Sequence, residues 1–217
     1  MFESKIYVEL LSPRYGAESA RALYNTAYAM TTCTMNERSL DYDEEDTSRY
    51  EELIKKLIDK NHTSVLEHLN YTFSIEGISR ALLQEISRHR HTSPTVQSTR
   101  WALKKMECSD PSKCIYIPEE LDDIDRARYI EACMHLLLLR KELSKKYTND
   151  IAKYATVESM LTKEVLTVNA RSLINMFELR TSPAALKEFK DLMYKIYLAL
   201  PQTHVFIFKK YEERFKA

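Results

Sequence analysis

Glycine is almost missing from this chain. In 217 residues it occurs only as Gly16 and Gly77. The glycine-rich loops that cradle phosphates with backbone N–H groups, in dinucleotide folds and P-loop proteins alike, therefore cannot be built. Any phosphate must be met by side chains and helix ends. The chain is long enough, at 44% hydrophobic residues, for one sizeable domain, expected to run over 1–217. Lys+Arg and Asp+Glu both number 32, so nothing global favours nucleic acid or a membrane surface, and electrostatic selectivity must be local. Cys33, Cys108, Cys114 and Cys133 include no C-x-x-C and no zinc spacing. A Cys108–Cys114 pair is open, but reduced thiols are expected, with no metal. "MFESKIYVELLSP" has no signal-peptide core, and the longest apolar run is Leu136–Leu139, so a cytoplasmic protein is expected.

The periodicities predict a helix-rich α+β fold with a small antiparallel or mixed sheet. "KIYVELLS" reads as an opening strand, and "AESARALYNTAYAM" spaces its apolar residues as a helix. Ser48 and Glu51 fit a capping box for the next helix. "HLNYTFSIEG" alternates Leu69, Tyr71, Phe73 and Ile75 with polar residues, a half-buried strand that Gly77 is expected to break. "ISRALLQEISRHR" then takes helical period, with Arg88–Arg90 closing the helix and Pro94 in a turn beyond it. Residues 108–118 look irregular. A long helix follows over "LDDIDRARYIEACMHLLLLRKELSKKY", then a β-like "KEVLTVN" and a helix "ARSLINMFELR". Ser182 and Pro183 fit N-cap and first position of a last helix, whose core face is Leu186, Phe189, Met193, Ile196, Tyr197 and Leu200.

The densest chemistry lies in "RHRHTSPTVQSTRW", residues 88–101, which has no acid. Arginine's planar fork suits phosphate and imide oxygens because it offers paired donors and stays charged. Cations at a helix end also serve simply to complement its dipole. Nucleic-acid contact is the weaker alternative in a neutral chain whose flanks lack interleaved Lys and Arg.

Arg88-His89-Arg90, seven residues, then Ser98 resembles the R-H-R-x7-S signature of the flavin-dependent thymidylate synthases. "HTSVLEHLNYTFSIEGISRALLQEISRHR" and "TVNARSLINMFELR" resemble two further ordered blocks of that family, and the likeness covers roughly Asn61 to Leu200. Within the family the chain resembles the subtype found in some epsilon-class bacteria. The resemblance implies the flavin-dependent thymidylate synthase fold and a reductive methylation of dUMP to dTMP. The carbon would come from 5,10-methylenetetrahydrofolate, and the hydride from NADPH through bound FAD. It also implies a homotetramer with active sites at subunit interfaces.

By the same resemblance, His62, Ser64, Glu67, Arg88, His89, Arg90, Asn169, Arg171 and Asn175 match positions that hold FAD. Arginines and a histidine near a helix end can neutralise a pyrophosphate without a glycine loop. Asn169 is also a plausible helix N-cap, and Arg171 and Asn175 lie one turn apart on one face. Glu85, Arg88, Gln97, Ser98, Thr99, Arg100, Lys153 and Arg180 match the dUMP side. Arg180 and Ser98 are the catalytic positions: Arg180 would stabilise negative charge on the pyrimidine as C5 becomes nucleophilic. Ser98 shows no adjacent base in the sequence, which argues against a serine nucleophile.

Several positions depart from the family pattern. Val96 replaces Glu or Gln, Lys153 replaces Arg, His91 an aliphatic, Trp101 Tyr, and Ala184 His. Glu85 stands for Gln, where pairing with Arg88 or His89 would offset its charge. His68 reads either as orienting a ligand or as buried and structural. His135 and His204 read as structural. The competing functions are an inactive FAD- or nucleotide-binding relative and, less favoured, a helical nucleic-acid-binding protein using Arg88–Arg100.

Overall fold

The computed structural model describes residues 6–34, 40–100 and 110–215, without the side chains of Cys33, Thr34 and Ser112. Among these residues the class is α+β. The strands are β1 (Tyr7–Ser12), β2 (Asn70–Ser79), β3 (Thr92–Val96) and β4 (Leu161–Asn169). They form one small antiparallel sheet in the order β1-β2-β4-β3. The helices are α1 (Ala17–Thr34), α2 (Ser48–Asp59), α3 (Arg80–Ile86), α4 (Asp123–Lys146), α5 (Asn149–Ala152), α6 (Ala170–Arg180), α7 (Lys187–Ala199) and α8 (Val205–Phe208).

The chain divides into two compact units, each assembled from discontinuous segments. The first contains Glu76–Arg88 and Thr95–Glu164. Its core packs Cys114, Ile115, Cys133, Leu137 and Met160, with Tyr129 and Val157 against them. α4 is capped by Asp122, whose carboxylate accepts from Asp125 N at 2.8 Å. Only Cys133, Leu137 and Arg140 of this helix are buried, while Leu136, Leu138 and Leu139 stay exposed. The second unit contains Tyr7–Ile75, His89–Pro94 and Val165–Ala217. Tyr71, Phe73, Phe177, Phe189, Phe208 and Tyr211 are all 0% exposed there. Each such side chain contributes about 1.5–3 kcal/mol by leaving water. His204 is the structural histidine expected. It lies between the Tyr71 hydroxyl (3.1 Å) and the Ser19 carbonyl (3.0 Å), and burial pushes its pKa down to about 4.

Several local expectations are corrected. β2 runs through Gly77, which sits at φ 78°, so the strand ends at Ser79 and Ile78 belongs to it. A glycine adopts that conformation without a Cβ penalty, so the chain need not leave the sheet. Ser79 then caps α3, its hydroxyl accepting from Leu82 N at 2.9 Å. Arg88–Arg90 lie beyond the last turn of α3, which stops at Ile86. Pro94 sits within β3, an edge strand, where a missing N–H is tolerated. The N-cap of α2 is Thr47 and not Ser48, and Thr47 Oγ1 donates to Glu51 Oε1 at 3.1 Å. Ser182 starts no helix: its hydroxyl donates back to Leu179 O at 3.0 Å, and α7 begins at Lys187. Leu186 therefore precedes that helix and is 46% exposed. Cys114 is disulfide-bonded, against the expectation of reduced thiols, because spacing does not reveal whether two Cα atoms come within about 7 Å. Cys133 is free and buried. Trp101 and Cys108 lie outside the described residues.

Candidate active site

The positions assigned to dUMP fall in the first unit, apart from Arg180. Gln97 N donates to Lys163 O at 2.9 Å, which anchors the turn that follows β3. Ser98 is exposed, and its Oγ accepts from Arg100 N at 3.2 Å. The hydroxyl therefore closes a local turn of the type serine often makes. The remaining backbone of the turn is held from α4 and α5. Asn149 Nδ2 donates to Arg100 O at 2.6 Å, and Arg140 Nη2 reaches Thr99 O at 3.5 Å. Arg140 is 2% exposed. Burial, and secondarily the charge of Arg80, lowers its pKa to about 10, so it remains a cation at neutral pH. Arg100 Nη2 pairs with Asp150 Oδ2 at 3.0 Å, and Lys153 Nζ pairs with Asp150 Oδ1 at 3.4 Å. One carboxylate thus holds Arg100 and Lys153, two of the four cations that the resemblance assigns to the nucleotide. The sequence reading missed Asp150, Asn149 and Arg140. The Asp150–Lys153 spacing of three, from α5 to its C-cap, was the available signal.

The positions assigned to FAD fall in the second unit, apart from Arg88. Asn61, at φ 60°, leads into His62 and a 3-10 turn over Thr63–His68. Val65 and Leu66 anchor that turn in the core, and His62, Ser64 and Glu67 face outward. Glu67 Oε1 accepts a short hydrogen bond from Arg171 Nη1. Asn169 caps α6 as expected, its Oδ1 accepting from Ser172 N at 2.8 Å. Ala170, Leu173, Met176 and Phe177 bury the opposite face of this helix, which leaves Arg171 and Asn175 exposed together.

Within the signature, the three residues divide. Arg88 and Arg90 are exposed and pair with no acid among the described residues. His89 is 7% exposed. Its Nε2 accepts from Arg180 Nε at 2.8 Å. The fold therefore joins a position assigned to flavin with the arginine assigned to the pyrimidine. Two unpaired guanidiniums fit a pyrophosphate, since each offers paired donors with no competing carboxylate. His68 is exposed, so the buried structural reading fails. It lines a cleft of about 500 Å³ with Ser12, Arg21, Asn25, Tyr42 and Asn70. There the Arg21 guanidinium lies 3.4 Å from the centroid of the Tyr42 ring. Nothing in the sequence singled out Arg21, on α1, or Tyr42, in the polar segment before α2.

Comparison with known proteins shows the family. The family model described as Thy1, thymidylate synthase complementing protein, matches residues 5–204. The flavin-dependent thymidylate synthase of Campylobacter jejuni is 46% identical over 171 residues, covering 71% of this chain and 79% of that protein. The enzyme of the same description from Wolinella succinogenes is 38% identical over 191 residues, covering 84% of this chain and 90% of that one. A crystal structure of Thymidylate Synthase X from Helicobacter pylori with FAD and dUMP superposes with a TM-score of 0.77 at 32% identity. That match covers 98% of this chain and all of the other, 100%. With the family model spanning both units and the signature side chains placed as described, this chain belongs to the family of flavin-dependent thymidylate synthases.

Proposed function

We propose that this chain methylates C5 of dUMP to give dTMP, with 5,10-methylenetetrahydrofolate as carbon donor and NADPH as reductant. Bound FAD supplies the hydride relay; the chain's own residues bind, orient and polarise. Arg88 and Arg90 neutralise the flavin pyrophosphate, assisted by His62, Ser64, Asn169, Arg171 and Asn175. Arg100, Lys153 and the Gln97–Thr99 turn take the nucleotide phosphate. Arg180 stabilises negative charge on the pyrimidine. Ser98 is no nucleophile: its Oγ accepts from Arg100 N, and no base hydrogen-bonds to it among the described residues. The observation that carries this reading is the signature itself: two exposed arginines, paired with no acid among the described residues, flank a buried His89 that is hydrogen-bonded to Arg180.

The family model spans residues 5–204, which supports one functional domain. The exposed Leu136, Leu138 and Leu139 of α4 support a homotetramer, since apolar groups on one long helix gain by covering each other. No helix among the described residues is long and apolar enough to cross a membrane, in keeping with a cytoplasmic enzyme. Purified protein should be yellow, bleach under NADPH once dUMP is present, and form thymidylate only when methylenetetrahydrofolate is added. Bound flavin without turnover would make the chain a binding relative. Colourless protein with salt-sensitive DNA binding would sink the reading altogether.

A further inference from the structure

Arg180 ends α6, where a long side chain has many rotamers open to it. Two of its contacts restrict it here. Its Nε donates to His89 Nε2 at 2.8 Å, and its guanidinium carbon lies 4.8 Å from the centroid of the Phe189 ring. The same ring meets His89 edge-on, with centroids 5.6 Å apart and planes at 83°. Phe189 is 0% exposed in the first turns of α7, a helix seated in the core by Leu192, Met193 and Ile196. One rigid aromatic side chain therefore touches both members of the His89–Arg180 pair.

We infer that Phe189 is a positioning residue: it holds His89 and Arg180 as one unit, and so sets where the arginine's charge stands relative to the flavin side of the site. This rests on the function proposed above. The physics is specific. A ring face attracts the guanidinium through its quadrupole, and that attraction strengthens where water is excluded. The His89 edge packs on the same ring in the geometry aromatic pairs favour. The pair also imposes a chemical state. Nε2 accepts only through its lone pair, so the imidazole is neutral with its proton on Nδ1. An aliphatic side chain of similar size would fill the space but would supply neither attraction. Arg180 would then regain rotamer freedom, and a charge displaced by about 1 Å loses much of its effect on a reacting atom.

The test uses Phe189→Leu, Phe189→Tyr and Arg180→Lys in the full chain, with turnover expressed per flavin-loaded enzyme. The readout independent of activity is the pair of imidazole nitrogen-15 shifts of His89, assigned by its loss in His89→Asn. In the unmodified protein these should report a single tautomer with Nε2 bare. Phe189→Leu should move them toward the tautomer mixture and lower kcat about tenfold. KM for dUMP should stay within about threefold. Phe189→Tyr keeps the ring and should restore both readouts. In an Arg180→Lys background, Phe189→Leu should add less than about a twofold loss, because the two act through one contact. Unchanged shifts and kcat in Phe189→Leu overturn the inference. So does a Phe189→Tyr variant as impaired as Phe189→Leu, or losses that multiply fully in the double variant. If the unmodified protein binds no flavin and forms no thymidylate, the proposed function fails, and the nitrogen-15 shifts still decide whether Phe189 holds the pair.

Discussion

The two proposed half-sites handle charge in opposite ways. On the nucleotide side, Arg100 and Lys153 already share the carboxylate of Asp150, at 3.0 and 3.4 Å. On the flavin side, Arg88 and Arg90 meet no acid among the described residues, and only Arg171 is paired, with Glu67. A phosphate arriving beside Asp150 must share its cations with a resident carboxylate, which weakens its hold. A phosphate arriving at Arg88 and Arg90 meets no such competitor. The difference suits what each side is proposed to bind: a substrate that must leave after each turnover, and a cofactor that stays. Backbone order on the nucleotide side does not depend on that ion pair, since Asn149 and Arg140 hold the turn by its carbonyls.

The comparison can be broken first at Arg180, which is assigned to the nucleotide and is hydrogen-bonded to His89 of the flavin side. Arg180→Ala should lower kcat by about 100- to 1000-fold at saturating dUMP, while flavin absorbance per mole of protein stays within about twofold. Loss of flavin with kcat preserved per flavin-loaded enzyme would place Arg180 on the flavin side instead.

Next in size is a stability effect at Glu164. It is 3% exposed, and neither carboxylate oxygen finds a hydrogen-bond partner among the described residues. Burial raises its pKa from 4.5 to about 7. A raised acid keeps its proton in the folded chain after the unfolded chain has lost it. Stability therefore falls as pH rises from about 4.5 to about 7 and is flat above. Glu164→Gln should remove a destabilisation on the order of 3 kcal/mol at pH 8 and leave little change near pH 4. Urea titrations of both proteins at the two pH values check it, and a pH-independent difference would refute the assignment.

Two smaller predictions sharpen the contrast itself. Arg171→Ala should weaken FAD about tenfold and leave KM for dUMP of the flavin-saturated enzyme unchanged. Asp150→Asn should tighten dUMP about threefold, steepen its salt dependence and leave FAD unaffected. If Asp150→Asn instead weakens dUMP, the carboxylate aims its cations more than it competes for them. Smallest is Ser98→Ala, which should retain kcat within about fivefold, as loss of one turn hydrogen bond implies. A trapped Ser98–dUMP adduct would reverse that reading.

Legibility followed the range of the forces involved. The alternation Tyr71, Phe73, Ile75 announced β2, and all three are 0% exposed. The N-A-R-S-L helix was read from Ala170 to Arg180 with its Asn169 cap, and the structure agrees. Both features rest on neighbours within a few residues. Gly77, Ser182 and Leu186 were misread because each had two locally acceptable states and the choice depended on partners distant in sequence.

The sequence alone determined that any phosphate must be met by side chains and helix ends, because two glycines cannot make a phosphate loop. It also carried the signature and the residue types of both half-sites. Only the tertiary structure decided that His89 turns inward onto Arg180 across 91 residues of chain, that Phe189 closes on both, and that Asp150 stands between Arg100 and Lys153. Those contacts are set by packing between elements far apart in the chain, and no local periodicity encodes them.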